Sequence, residues 1–230
     1  MSRTVKRPYD STRRQEQAQD TRRRVIAAAR ELFVRQGYGK TTMVQIAQAA
    51  GVAVETIYGA FRNKATLLRQ VWYVDFRGDE DDVPLYDRPE MQAILSEPDL
   101  ATRIHRHAVF VTATNRRMSL LVDMLTGAAA TEPAAAAMLA EWADRRIDVA
   151  TKYARAAADT GQLAVSTDHC RDVLFATMDG ALWQRLVVER GWTDAQYADW
   201  LGRLWVDLLV ARDPTGAEDG PDRRRKAADD

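Results

Sequence analysis

The sequence predicts an all-α protein, with an N-terminal three-helix helix-turn-helix domain followed by a larger C-terminal helical domain. Three observations predict it. Apolar residues recur at the 3.6-residue helical period along most of the chain. The Val/Ile/Thr alternation of a strand is nearly absent, and alanine is plentiful while only 12 glycines and 7 prolines interrupt 230 residues. With 46% hydrophobic residues, the chain is long enough to bury a sizeable core.

Residues 1–19, with Arg3, Lys6, Arg7, Arg13 and Arg14 among polar neighbours, read as a disordered basic arm. A first helix is expected from Asp20, because Val25, Ile26, Ala29, Leu32 and Phe33 share one face and Gly37 and Gly39 stop it. Thr42, with Gln45 three residues on, opens a second helix through a capping box, and the run reaches Gly51. A third short helix spans Val54 to Phe61. Asn63 caps a fourth, which carries Leu67, Leu68, Val71 and Trp72.

The stretch "RGDEDDVPLYDRPE" after Phe76 reads as a loop joining two modules. Longer helical patterns follow near Asp99–Thr114, Met118–Ala130, Glu132–Thr160 and Asp168–Val188, and a last one near Thr193–Leu209. The expected division is therefore an arm (1–19), a helix-turn-helix head (20–66), a helical body (67–212) and a disordered polar tail (213–230).

The segment "GVAVETIYGAF", residues 51–61, carries the functional argument. A helix-turn-helix needs a small residue where its helices cross, a left-handed turn residue between them, and apolar residues that lock the pair. Ala47 meets the first need and Gly51 the second. Ile46, Val52, Ile57 and Phe61 meet the third. On a helical wheel Ile57 and Phe61 point one way while Glu55, Thr56 and Gly59 point the other, and this second face is the candidate for entering a major groove.

Charge supports that reading. The formal net charge is zero, yet residues 1–71 hold 14 Lys and Arg against 5 Asp and Glu, and the remainder holds 19 against 28. A basic head on an acidic body is a footprint for polyanions. Other classes find little support. The single cysteine, Cys170, excludes an internal disulfide, no apolar run reaches membrane-spanning length, and the N-terminus lacks the apolar stretch of a secretory signal, so a cytoplasmic location is expected. His105 and His107 fall on different sides of a helix and cannot chelate together, so no metal is expected, nor at His169–Cys170. No phosphate-binding glycine loop, nucleophile elbow or HExxH is present, so neither an enzyme nor a cofactor is expected. The competing class is a helical interaction or carrier protein whose basic head is only a solvated face.

Residues 21–68 resemble the N-terminal domain of the TetR/AcrR family of transcriptional regulators. The resemblance rests on Ala29-x-x-Leu32-Phe33, Gly37-Tyr38, Thr41-Thr42, Ile46-Ala47, Ala50-Gly51-Val52, Thr56-Ile57-Tyr58, Phe61, and Asn63-Lys64 before Leu67-Leu68. It implies a homodimeric repressor that binds an inverted repeat in double-stranded DNA and responds to a small-molecule effector. By position it implies phosphate contacts from Thr42, Tyr58 and Lys64, and base contacts from Val54, Glu55 and Thr56. Tyr58 is equally compatible with a core aromatic whose hydroxyl reaches the rim. The sequence departs from the family where Ala53 replaces the usual Ser or Thr cap, and where Gly59 and Ala60 stand in place of larger residues.

In the body, a largely apolar effector would find candidate linings in Trp72, Phe76, Phe110, Met118, Met124, Trp142, Phe175 and Trp183. Asp123, Asp179 and Arg185 are the polar candidates. A stripe of Val173, Ala176, Thr177, Gly180, Ala181, Gln184 and Val188, with Trp200, Leu201, Leu204, Trp205, Leu208 and Leu209 on the last helix, is expected to form a four-helix dimer interface.

Overall fold

The computed structural model describes residues 9–79 and 83–211, so Arg3, Lys6 and Arg7 of the expected arm and the expected tail lie outside the described residues. Helix α1 (Tyr9–Gln36) buries Val25, Ile26, Ala29, Leu32 and Phe33. Gly37, at φ 86°, ends it. Helix α1 starts eleven residues before Asp20, which corrects the expected disorder of 9–19. That segment has no apolar stripe, but its Arg, Gln, Glu and Ala are good helix formers, and a helix already nucleated by packing extends through them at little cost.

Helix α2 (Met43–Ala50) packs on α1, and α3 (Val54–Phe61) packs on α2; together they bury Ile46, Ala47, Ile57 and Phe61. Ile46, Ile57 and Phe61 each contribute about 1.5–3 kcal/mol through burial. Helix α4 (Lys64–Arg77) starts at Asn63, whose side chain accepts from Thr66 N, and ends at Gly78, φ 85°. Its residues Leu67, Leu68, Val71 and Trp72 join the head's core to Met118, Leu121, Leu125 and Met138 of the body. The expected boundary at residue 66 therefore runs through a single continuous core, and α4 serves both sides of it.

The segment read as a loop contains a 3-10 turn at Leu85–Asp87 and a short helix α5 (Pro89–Leu95) anchored by Met91 and Ile94. Pro89 at the first helical position opens that helix rather than breaking the chain. Helix α6 (Leu100–Ala128) runs uninterrupted where two helices were expected. Nothing in Asn115–Arg117 stops it, and the Thr112 and Thr114 hydroxyls bond back to the Ala108 and Phe110 carbonyls at 2.7 and 3.1 Å.

Helix α7 (Pro133–Ala158) packs along α6, and α8 (Thr167–Thr177) packs on α7. The expected helix over 168–188 is broken. Gly180, at φ 88° and within 3.5 Å of Asn115 Oδ1 were it to carry a Cβ, separates α8 from α9 (Ala181–Trp183), which runs into a π-turn at Gln184–Glu189. Helix α10 (Asp194–Leu209) lies against α6, where a Cβ on Gly202 would fall 2.4 Å from His105 Nδ1. The second core, built from α5 to α10, centres on Ile104, Ala108, Tyr153, Leu174, Tyr197, Leu201 and Trp205. Among the described residues, no helix is long and apolar enough to cross a membrane.

Candidate nucleic-acid interface and effector cavity

The turn between α2 and α3 is set by Gly51, at φ 65°, whose amide donates to the Ala47 and Gln48 carbonyls while Val52 N reaches Ala47 O at 3.0 Å. A side chain there would have room, since the nearest atom is Arg24 Nη1 at 3.9 Å. The demand for glycine is thus conformational. At the start of α2, Thr42 Oγ1 accepts from Gln45 N at 3.2 Å and Gln45 Oε1 accepts from Thr42 N at 2.9 Å, completing the expected capping box. Ala53 leaves α3 without a side-chain cap, as its sequence requires.

Helix α3 presents Glu55, Thr56, Gly59 and Ala60 to solvent, with Tyr58 47% exposed, while Ile57 and Phe61 are fully buried. This separates the two readings of Tyr58: its ring is on the surface. Val54 is half-buried against the core, so only part of it is available to a base. Thr42 is exposed on the same head. Lys64 is already engaged. Its ammonium donates to the Tyr38 and Thr41 carbonyls at 2.9 and 3.1 Å and sits 4.2 Å from the Tyr38 ring centroid, bracing the loop before α2. An ammonium has three donors, so one remains for a phosphate.

The sequence reading missed Arg62. It is exposed directly after α3 and adopts φ 60°, ψ −50°, with Asn63 N bonded to Phe61 O at 2.6 Å across it. Such a γ-turn in a non-glycine residue stores about 1–3 kcal/mol. It delivers Asn63 to its capping position and leaves Arg62 exposed directly after the α3 face. No sequence rule signals this conformation at an arginine.

Gly59 meets a different condition from Gly51. It sits inside a regular helix, and a Cβ there meets nothing within 4 Å. Gly59→Ala is therefore expected to stabilise the protein by about 0.5–1 kcal/mol in urea unfolding. If this face lies against a DNA backbone, the same substitution should weaken DNA binding. Gains in both properties would show that nothing approaches the position closely.

The family comparison adds to this geometry. The model for "Bacterial regulatory proteins, tetR family" matches residues 25–71, from the packed half of α1 through α3 into α4. The head is similar to TetR-family regulators. The transcriptional regulator AcrR of Shigella flexneri is 28% identical over 111 residues, which is 48% of this chain and 50% of AcrR. TtgR of Pseudomonas putida is 44% identical over 57 residues, 25% of this chain and 27% of TtgR. The chain thus spans half or less of the length of these curated relatives. Among solved structures, NalD of Pseudomonas aeruginosa, the secondary repressor of the MexAB-OprM multidrug efflux pump, has the same fold, with a TM-score of 0.61 and 21% identity over 84% of this chain and 97% of NalD.

Behind the head, the body holds two adjoining spaces. An outer cleft of about 390 Å³ is lined by Met118, Val122, Asp123, Leu139, Trp142, Asp179, Arg185 and Glu189. An inner chamber of about 50 Å³ is lined by Phe76, Met91, His107, Phe110, Trp142 and Met178. Asn115, Trp142 and Arg146 belong to both. Of the expected lining, Phe76, Phe110, Met118, Asp123, Trp142, Asp179 and Arg185 are placed on these spaces. Four others are corrected. Trp72 is fully buried, edge-to-face with Trp142 at 5.4 Å. Trp183 is buried and donates to Asp194 at 2.9 Å. Phe175 lies under the Arg146 guanidinium, and Met124 faces the loop at Gly37–Lys40 instead. Helical spacing identified these as apolar but could not say which neighbour each would meet.

Arg146 was not singled out by sequence, and His107 was weighed there only as a metal ligand. Burial holds Arg146 below the usual guanidinium range, with Asp179 at 3.7 Å working the other way, and Arg146 Nε has no hydrogen-bond partner among the described residues. His107 is buried, stacks on Tyr153 at 3.9 Å, and leaves Nδ1 without a partner. His105 instead packs at Gly202 on the other side of α6, so the two histidines part as their spacing requires.

The expected dimer face is also corrected in part. Leu201 and Trp205 are fully buried within one chain, and Trp205 Nε1 donates to Thr177 Oγ1 at 2.8 Å. The stripe is divided at Gly180, and its Val173 and Thr177 end packs on the chain's own core. Ala181, Val188 and Leu208 remain exposed, while Gln184 and Leu204 are half-buried.

Proposed function

We propose that this chain is a transcriptional regulator that binds an inverted-repeat DNA site as a homodimer, represses from it, and is released by a small-molecule effector. The observation that carries the proposal is the solvent-facing side of α3, Glu55, Thr56, Tyr58 and Gly59, held on the left-handed turn at Gly51 in a segment rich in Lys and Arg. A short helix supported in this way presents base-reading side chains to a major groove, and one such helix covers too few base pairs to be selective, so two copies are needed. NalD's description as a repressor favours repression as the sign of regulation.

Helix α4 supports coupling between the two ends. It begins at Asn63 and Lys64 beside α3, and its last turn carries Phe76, which lines the inner chamber 4.8 Å from Trp142, edge-to-face. Arg117 of α6 donates to the Asp75 carbonyl at 3.1 Å, and Arg30 of α1 donates to the Asp75 carboxylate at 2.7 and 2.8 Å. Burial raises the Asp75 carboxyl and Arg30 opposes the shift. A ligand that moves Trp142 and Phe76 would act on α4 directly, and it releases DNA only if it binds the displaced arrangement better.

The test is a gel shift of the full chain on the DNA upstream of its own gene, at two salt concentrations, with light scattering for mass. The proposal expects a dimer and retention of the upstream duplex over an unrelated one at the higher salt. A monomer that binds every duplex alike would leave the basic head as a solvated face on a carrier protein.

A further inference from the structure

We propose that the effector is an amphipathic organic acid, whose acidic group is drawn into the inner chamber by Arg146 while its apolar body fills the outer cleft. The inference rests on reading the body as an effector domain and names the ligand's chemistry.

Three observations carry it. The first is size: the inner chamber, about 50 Å³, has room for a carboxylate or one or two waters, whereas the outer cleft, about 390 Å³, holds a ring system. The second is charge. Among the described residues Arg146 is the only charged one lining the inner chamber, whereas the outer cleft is also lined by Asp123, Asp179 and Glu189 and by Arg185. The third is the set of unsatisfied groups. Arg146 Nε, Asn115 Nδ2 and His107 Nδ1 are buried without hydrogen-bond partners among the described residues, and all three residues line this one chamber.

Buried polar atoms are normally paired, and leaving them unpaired is costly. Two of these three atoms are fixed donors, on a guanidinium and an amide, and neutral imidazole supplies either a donor or an acceptor at the third. A carboxylate supplies the matching acceptors and compensates the partly buried positive charge, which Asp179 at 3.7 Å meets only loosely. A cationic ligand would have to approach Arg146 and would satisfy none of the donors.

The experiment uses three probes with one skeleton, 1-naphthylacetate, 1-naphthylacetamide and 2-(1-naphthyl)ethylamine, titrated calorimetrically into the full-length protein at neutral pH. The acid is expected to bind at least about tenfold more tightly than the amide or the amine, as a charge-assisted hydrogen bond implies. Arg146→Gln should level the series and Arg146→Lys should retain the acid's advantage. If Arg146→Gln does not fold, Asn115→Leu, which removes a second donor, should reduce that advantage. Equal affinities, tightest binding of the amine, no binding of any probe, or an acid preference that survives Arg146→Gln would each overturn the proposal, leaving ordered water as the occupant of the chamber. DNA release is read separately by gel shift. A regulator released by some other ligand class would sink this inference and leave the proposed function standing.

Discussion

Trp72→Ala is expected to lower the unfolding free energy by about 3–5 kcal/mol, the cost of removing a large aromatic from a site that cannot collapse around the gap. Trp72 is 1% exposed, sits on α4, and packs in the core shared by head and body, edge-to-face with Trp142. The sequence reading placed it on the effector cavity, and the two placements predict different outcomes. A cavity-lining tryptophan can be truncated with modest loss of stability and a change in ligand affinity. A seam tryptophan, when truncated, weakens the connection between α4 and α7, so unfolding of the head should cease to coincide with that of the body. Urea unfolding followed by far-UV circular dichroism and by a probe in the head decides between them. A loss below about 1 kcal/mol would return Trp72 to the cavity.

The second large effect is acid sensitivity from His107. Complete burial pulls its pKa down to about 3, so the folded protein holds it neutral while the unfolded chain binds a proton near pH 6.5. Between these values the unfolded state carries more protons, and stability therefore rises with pH and is lost as pH falls. From pH 7 to pH 5 the loss attributable to this one side chain is about 2 kcal/mol. The Phe110, Tyr153 and Trp205 rings around it offer no counter-charge to the imidazolium. Urea titrations of wild type and His107→Leu at both pH values, at one protein concentration, test this. The variant should lose about 2 kcal/mol less than wild type on acidification, and parallel losses would mean that water or a rearrangement admits the proton.

The head was legible in the sequence because its constraints are local. The Thr42–Gln45 capping box, the left-handed Gly51, the Asn63 cap and the burial of Ile57 and Phe61 each follow from residues within a few positions of one another. The body was legible only as helices. Leu201 and Trp205 have the spacing of an interface stripe and the burial of a core, and only their tertiary neighbours separate the two. Gly202 reads as a weak position within a helix, yet it marks the close approach of α10 to His105. Arg146 and Asn115 are ordinary polar residues on long amphipathic helices until those helices pack and leave them facing one small chamber. Lys64 shows the same limit within the head. The family resemblance implied a phosphate contact there, whereas the structure makes it first a brace for two carbonyls.

The central claim is that the exposed face of α3 reads DNA sequence. It is tested most directly by binding-site selection from randomised duplex DNA, with the full-length wild type and Glu55→Ala in parallel. Wild type should enrich an inverted repeat whose half-site centres lie about one helical turn apart, roughly 34–36 Å. Glu55 is exposed in the first turn of α3, where a carboxylate also favours the helix dipole, and it can accept from cytosine N4 in the groove. Glu55→Ala should therefore relax the preference at one base pair in each half-site by about 1–3 kcal/mol and leave nonspecific affinity equal or higher. A wild type that enriches no sequence, and binds all duplexes with the same salt dependence, would contradict the account.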